Sequence, residues 1–338
     1  MAFAVLFKGA KLCLENCLLV KEGEAVSIIY NIDRRYDAES FAAVARNAGA
    51  DPLLIDITPL VQKTLVSKLL PALPKNLLSS LKDSDIVVNC TPLEFAWYFA
   101  HCKDRKKITD AGARIGDIME KMIQWSEKVT VEDLAKIHET TKKVDDALVP
   151  GKSIRITSQR GTDLSLVIWN KAYGKGKGGR PDFYCSPLRF TQRLKGMRAD
   201  LPDYGESSNN VEVGTANGKI VIEWYLLGWG FMKNTVELTV KDGRVIDIKG
   251  AEEAEWLKKQ IQGGSNRDMI AELGVGTSHT IDPELGPCAV LGTAHIAVGE
   301  NFAMGGQIES DIHIDCFIRN PTIEVEGRKI MENGKLVL

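Results

Sequence analysis

Ala25-Val-Ser-Ile-Ile-Tyr30, a stretch after Asp37 that carries Phe41, Val44 and Ala45 as far as Gly49, and then Pro52-Leu-Leu-Ile-Asp-Ile57 together decide the fold. Two short apolar runs rich in β-branched residues flank one segment of helical period. That is the pattern of a strand, a crossover helix and a second, parallel strand. Asp85-Ile-Val-Val-Asn-Cys90 reads as a third strand after helical stretches near 65–70 and 77–81, and residues 1–20 read as a helix ending at Lys21-Glu22-Gly23. The first half is therefore expected to be a doubly wound α/β domain. Asn31-Ile-Asp-Arg-Arg-Tyr36 follows the first strand and contains no Gly-x-Gly-x-x-Gly, so a dinucleotide site is not expected there. Arg34 and Arg35 read as solvated surface charges.

Outward from this unit, Thr130-Val-Glu-Asp133 reads as a capping box opening a helix to Leu148, and Pro150-Gly151 breaks it. Beyond that break the apolar period changes from 3.6 to 2. Strands are expected at 153–157, 163–169, 219–227, 235–241 and 244–249, with hairpin turns at Asn217-Gly218 and Asp242-Gly243 and one helix, 252–261, ending at Gly263-Gly264. The expected fold class is thus α/β: an N-terminal α/β domain over 1–148 and a larger β-rich α+β domain over 149–338. A chain of 338 residues suits two cores better than one.

The formal net charge of −2 offers no basic field for nucleic acid. The most apolar run, Val221 to Met232, contains Glu223 and is too short to span a bilayer, and the N-terminus lacks a basic segment ahead of a long apolar one. Seven cysteines, an odd number with no Cys-x-x-Cys, point to reduced thiols and a cytoplasmic protein. Tyr173-Gly-Lys-Gly-Lys-Gly-Gly-Arg180 reads as a surface hairpin or substrate cover rather than a phosphate cradle, since no Gly-Lys-Ser/Thr follows it.

Chemistry concentrates near the C-terminus. Gly292-Thr-Ala-His-Ile-Ala-Val-Gly299, Gly305-Gly306 and Ile312-His-Ile-Asp315 place two of the five histidines and a carboxylate among small and β-branched residues. His313 and Asp315 are two apart and leave one face of a strand together, while the paired glycines allow a return that brings His295 alongside. Cys316 then points the other way, into packing. Glu272 lies in the apolar, glycine-punctuated Ile270-Ala-Glu-Leu-Gly-Val-Gly276, where a lone carboxylate is costly unless paired or bound to a cation. Glu206 closes Leu201-Pro-Asp-Tyr-Gly-Glu206, and Glu223 is a competing acid that alternation can turn outward.

Ala271-Glu-Leu-Gly-Val-Gly276, the His295 segment and His313-Ile-Asp315 resemble the C-terminal signature of the thermophilic metalloaminopeptidases, the aminopeptidase T and S type. Looser similarity runs through Lys21–Ile29, Asn47-Ala-Gly-Ala50 and Gly161-Thr-Asp-Leu164. The resemblance implies a two-metal site of zinc, cobalt or manganese held by Glu206, Glu272, His295, His313 and Asp315. In it Glu206 handles the proton as activated water removes the N-terminal residue of a peptide, in a homodimer. Phe302 stands where that family has a tyrosine, leaving Tyr204 or Tyr184 as other sources of a phenol. The same fold also resembles the iron-dependent dihydroxypyridine ring-cleaving dioxygenases, in which His313, Asp315 and either His295 or His279 would form a mononuclear Fe(II) triad. The hydrolase is the first expectation, the dioxygenase the second, and a non-catalytic metal-binding homologue the third.

Overall fold

The computed structural model describes residues 2–67, 72–92, 95–96, 99, 102–118, 128–149, 151–169, 184–185, 198–284, 286–302 and 306–338. The Gly-rich segment 173–180, Gly305 and the side chain of Tyr184 lie outside them. The chain divides into two compact units, one of Met1–Glu139, Cys185–Gly205 and Thr280–Gly286, the other of Thr140–Tyr184, Glu206–His279 and Pro287–Leu338.

The first unit is built on a parallel sheet in the order Asp51–Asp56, Ala25–Tyr30, Ile86–Cys90, Arg114–Ile118, Arg198–Leu201. Helices cover both faces. Val26, Ile28, Ile86 and Val88 meet Leu14 and Phe41 on one side, and Ile29, Val87 and Ile115 meet Leu77, Leu81 and Ile108 on the other. The doubly wound expectation is met, with two strands added. Arg114–Ile118 escaped the sequence reading because a glycine and a charge interrupt its apolar run. The charge, Asp117, is fully buried and held by Arg105 at 2.5 Å and by Asn89 Nδ2 at 2.8 Å. Arg198–Leu201 arrives from far along the chain, so a single cut after residue 148 does not separate the two units. Arg34 also corrects the reading of a solvated arginine. It is buried, pairs with Asp37 at 2.6 Å, and donates to the carbonyls of Thr91 and Ile118 at 3.0 and 3.1 Å, tying strand ends together. Arg35 is exposed and pairs with Glu39.

The second unit is a sandwich of two antiparallel sheets. One runs in the order Arg244–Lys249, Val236–Lys241, Asn217–Ile222, Asp163–Val167, Ser153–Thr157, Thr322–Val325, Arg328–Glu332, Lys335–Leu336. The other runs Gly230–Phe231, Tyr225–Leu226, His313–Arg319, Thr293–Gly299, Ile270–Gly276, Glu206–Asn210. Ile154, Leu164, Ile220 and Leu238 of the first share one core with Leu273, Val275, Ile296, Val298, Ile314 and Cys316 of the second. Cys316 packs in that core as expected.

Asp242-Gly243 is the expected hairpin turn, with φ of 49° and 76° at the two residues. Asn217-Gly218 is not a turn. Both residues pair within a strand, and Gly218 is glycine because a Cβ there would overlap the Asp163 carbonyl. The single strand expected at 219–227 breaks at Glu223, and its two halves join different sheets. Glu223 is half-buried rather than outward, and burial pushes its carboxyl above the usual range. No helix among the described residues is long and apolar enough to cross a membrane.

Candidate metal centre

Four adjacent strands of the second sheet set the site by their register. Gly276 lies opposite Glu206; Gly274 lies between Ser208 and His295; Glu272 lies between Asn210 and Ala297; Ala297 and Gly299 face Asp315 and His313. Cross-strand partners point to the same face. One face therefore carries Glu206, Glu272, His295, His313 and Asp315 interleaved with residues that have little or no side chain, while the alternate positions fill the apolar core. All five donors are buried, none more than 6% exposed.

The donors meet. His313 Nε2 lies 3.0 Å from Glu272 Oε2 and 3.1 Å from Asp315 Oδ1. His295 Nε2 lies 3.3 Å from Glu206 Oε1 and 3.8 Å from Glu272 Oε1. His313 Nδ1 meets the Glu300 carbonyl at 2.6 Å, which fixes the ring and leaves Nε2 for the centre. Ser208 Oγ donates to Glu272 Oε1. Phe317 packs against His295 with centroids 5.1 Å apart, and Trp224 and Tyr225 stand edge-on to Phe317.

Three sets of donor atoms fall within 4.8 Å of one another: Glu206, Glu272, His295; Glu272, His313, Asp315; and Cys288, His295, Asp315. No set holds both histidines. His279 is exposed and joins none of them, and His295 reaches the cluster without sharing a set with His313, so the expected triad of His313, Asp315 and a second histidine is not among these sets. Phe302 is exposed on the segment after Gly299, and Tyr204 belongs to the first unit.

Three carboxylates and two imidazoles are buried together here, a grouping of donors that suits a bound cation. Burial pushes the His295 imidazolium toward losing its proton, yet Asp315, Glu206 and Glu272 outweigh burial and raise its pKa to about 9. His313 is raised well above its ordinary value against the same burial, by Asp315 and Glu272. Burial works to raise Glu272 and Asp315, but the histidines hold both below the usual carboxylate range. His295 Nδ1 is buried without a hydrogen-bond partner, a cost that a bound ion relieves. Nitrogen and carboxylate donors in this mixture fit zinc, manganese, cobalt or iron(II).

The family model of NicX, 2,5-dihydroxypyridine 5,6-dioxygenase, matches residues 6–282. The chain belongs to the NicX family. That span contains Glu206 and Glu272 and ends before His295, His313 and Asp315. The structure of 2,5-dihydroxypyridine dioxygenase from Pseudomonas putida KT2440 matches 100% of this chain and 98% of its own, with a TM-score of 0.75 at 16% identity. AmpT from Thermus thermophilus matches over 99% of both chains, with a TM-score of 0.58 at 15% identity. At such identities both likenesses show the fold alone. No curated protein matches the sequence.

Family membership makes this a chain of an enzyme family and moves the weight from the hydrolase, the first expectation, to the dioxygenase. The aminopeptidase resemblance is retained only as a likeness of fold. The reading of residues missed Cys288, Ser208, Gly274 and the Glu300 carbonyl. A lone cysteine or serine gives no spacing signal, and a carbonyl gives none at all. Gly274 was visible as part of Gly-Val-Gly276, but its reason is tertiary: a Cβ there would overlap the His295 ring and Glu206 Oε1.

Proposed function

We propose that this NicX-family protein is a non-haem iron(II) dioxygenase that opens a dihydroxylated pyridine-type ring. The observation that carries the reading is the buried set Glu272, His313 and Asp315 in a chain of that family. These three would hold the iron, which when bound brings O2 and the substrate hydroxyls together and passes electrons between them. Ring opening balances without an outside reductant, because both oxygen atoms enter the product and the ring supplies all the electrons. Glu206 remains beside the centre, 3.3 Å from His295 Nε2, suited to take a hydroxyl proton from the substrate and return it later. Phe317 holds the His295 ring in place, and the Glu300 carbonyl holds His313. Cys13, Cys17, Cys90, Cys102 and Cys316 are free thiols, which suits a reducing cytoplasm. The substrate is a small molecule, and a homodimer is the expected assembly.

Anaerobic loading with ferrous iron, followed by oxygen uptake with dihydroxylated pyridines, tests the reading. Stoichiometric uptake with loss of the aromatic absorbance supports it; no uptake across the panel with iron demonstrably bound rejects it. A second reading, an AmpT-like two-metal hydrolase, is favoured by one observation: Glu272 belongs to two donor sets and can bridge two ions. Two equivalents of zinc, cobalt or manganese per chain, with release of N-terminal residues from peptides, would select it.

A further inference from the structure

We propose that Cys288 supplies a sulfur ligand to a cation held between His295 and Asp315. The inference rests on the reading that the cluster binds metal and adds a donor of a different chemical kind. Cys288 sits on the short turn Pro287–Ala289 beside the His295 strand. The turn is fixed: Ser278 N donates to the Ala289 carbonyl and Leu291 N to the Ser278 carbonyl, each at 2.8 Å. Its Sγ lies 3.5 Å from Asp315 Oδ2, and the donor atoms of Cys288, His295 and Asp315 lie within 4.8 Å of one another. Ligands at zinc-like bond lengths stand about 3.5 Å apart around a tetrahedral ion, so modest side-chain rotation closes the set.

Independently of the thiol, His295, a member of the same donor set, has its Nδ1 buried and without a hydrogen-bond partner. Cys288 is half-buried rather than sealed in a core, and Cys316 packs in the core on the opposite face of the strand. When the sulfur coordinates, the S–H bond is lost and its proton passes to solvent. A sulfur donor turns the centre toward zinc, cobalt and iron(II) and away from magnesium and calcium.

Cobalt(II) tests this on the full chain after chelation, because cobalt reports its ligands by colour. Wild type is expected to show visible ligand-field bands together with an intense near-ultraviolet sulfur-to-cobalt band. Cys288→Ser and Cys288→Ala should keep the visible bands and lose the near-ultraviolet one. Visible bands without the sulfur band in wild type overturn the ligand role of Cys288 and leave the metal centre standing, as does a sulfur band that both variants retain. No cobalt bands in any form overturn the metal centre as well. A second measurement needs no variant. Bound zinc should protect Cys288 of wild type from alkylation, read by mass spectrometry of its peptide; equal labelling with and without zinc rejects the proposal.

Discussion

Gly274 contributes to the site by having no side chain. The His295 ring and Glu206 Oε1 occupy the volume its Cβ would take, so Gly274→Ala must push one donor aside. Metal affinity is expected to fall by roughly ten- to a hundredfold, the usual effect of disturbing a ligand's support. Equilibrium dialysis measures it, and unchanged affinity would remove the glycine from the argument. The same cluster predicts a pH effect. In the metal-free protein His295 holds a proton up to about pH 9, above its ordinary value of about 6.5, so its protonated form stabilises the fold below that ordinary value. The stabilisation is lost as pH rises through about 9. Glu272 and Asp315 run the other way, contributing above the usual carboxylate range and losing that contribution on acidification. A cation must displace the His295 proton below pH 9. Its apparent affinity should therefore rise from pH 7 to 9, with proton release visible by calorimetry in buffers of different ionisation enthalpy. A flat profile would show that no proton is displaced.

Among the elements, the helix Val131–Ala147 was legible because its start is chemical: Thr130 Oγ1 accepts from Asp133 N at 3.2 Å, and Asp133 Oδ2 accepts from Thr130 N at 3.0 Å. Thr130→Ala should cost about 1 kcal/mol in denaturant unfolding, the typical value of a lost cap. The strand Glu206–Asn210 was not legible. Glu-Ser-Ser-Asn-Asn has no apolar alternation, yet all five residues are buried. What makes it a strand is its neighbour, since each residue from Glu206 to Asn210 pairs in register with Gly276 back to Glu272. Gly218 shows the converse. Asn-Gly reads locally as a turn, and the close approach of Asp163 makes it strand.

At the scale of the molecule, two kinds of burial hold two kinds of core. The first unit accepts a buried charge pair, Asp117 with Arg105. Asp117→Ala removes the carboxylate from that buried pair and should destabilise by about 3–5 kcal/mol, measured as a shift of the denaturation midpoint. A change under 1 kcal/mol would show that water reaches the pair. The alternation of apolar residues, the helix caps and the Asp242-Gly243 turn determined the fold class from sequence alone, because those preferences act within a few residues of the chain. His313 and Asp315 were bound to share a face for the same reason. The tertiary structure alone decided that Glu206 and Glu272 reach them, that His295 rather than His279 joins, that Cys288 stands within reach of Asp315, and that a distant segment supplies the fifth parallel strand. Each of those depends on strand register and on the space left by glycine, which are set by contacts between residues far apart in sequence.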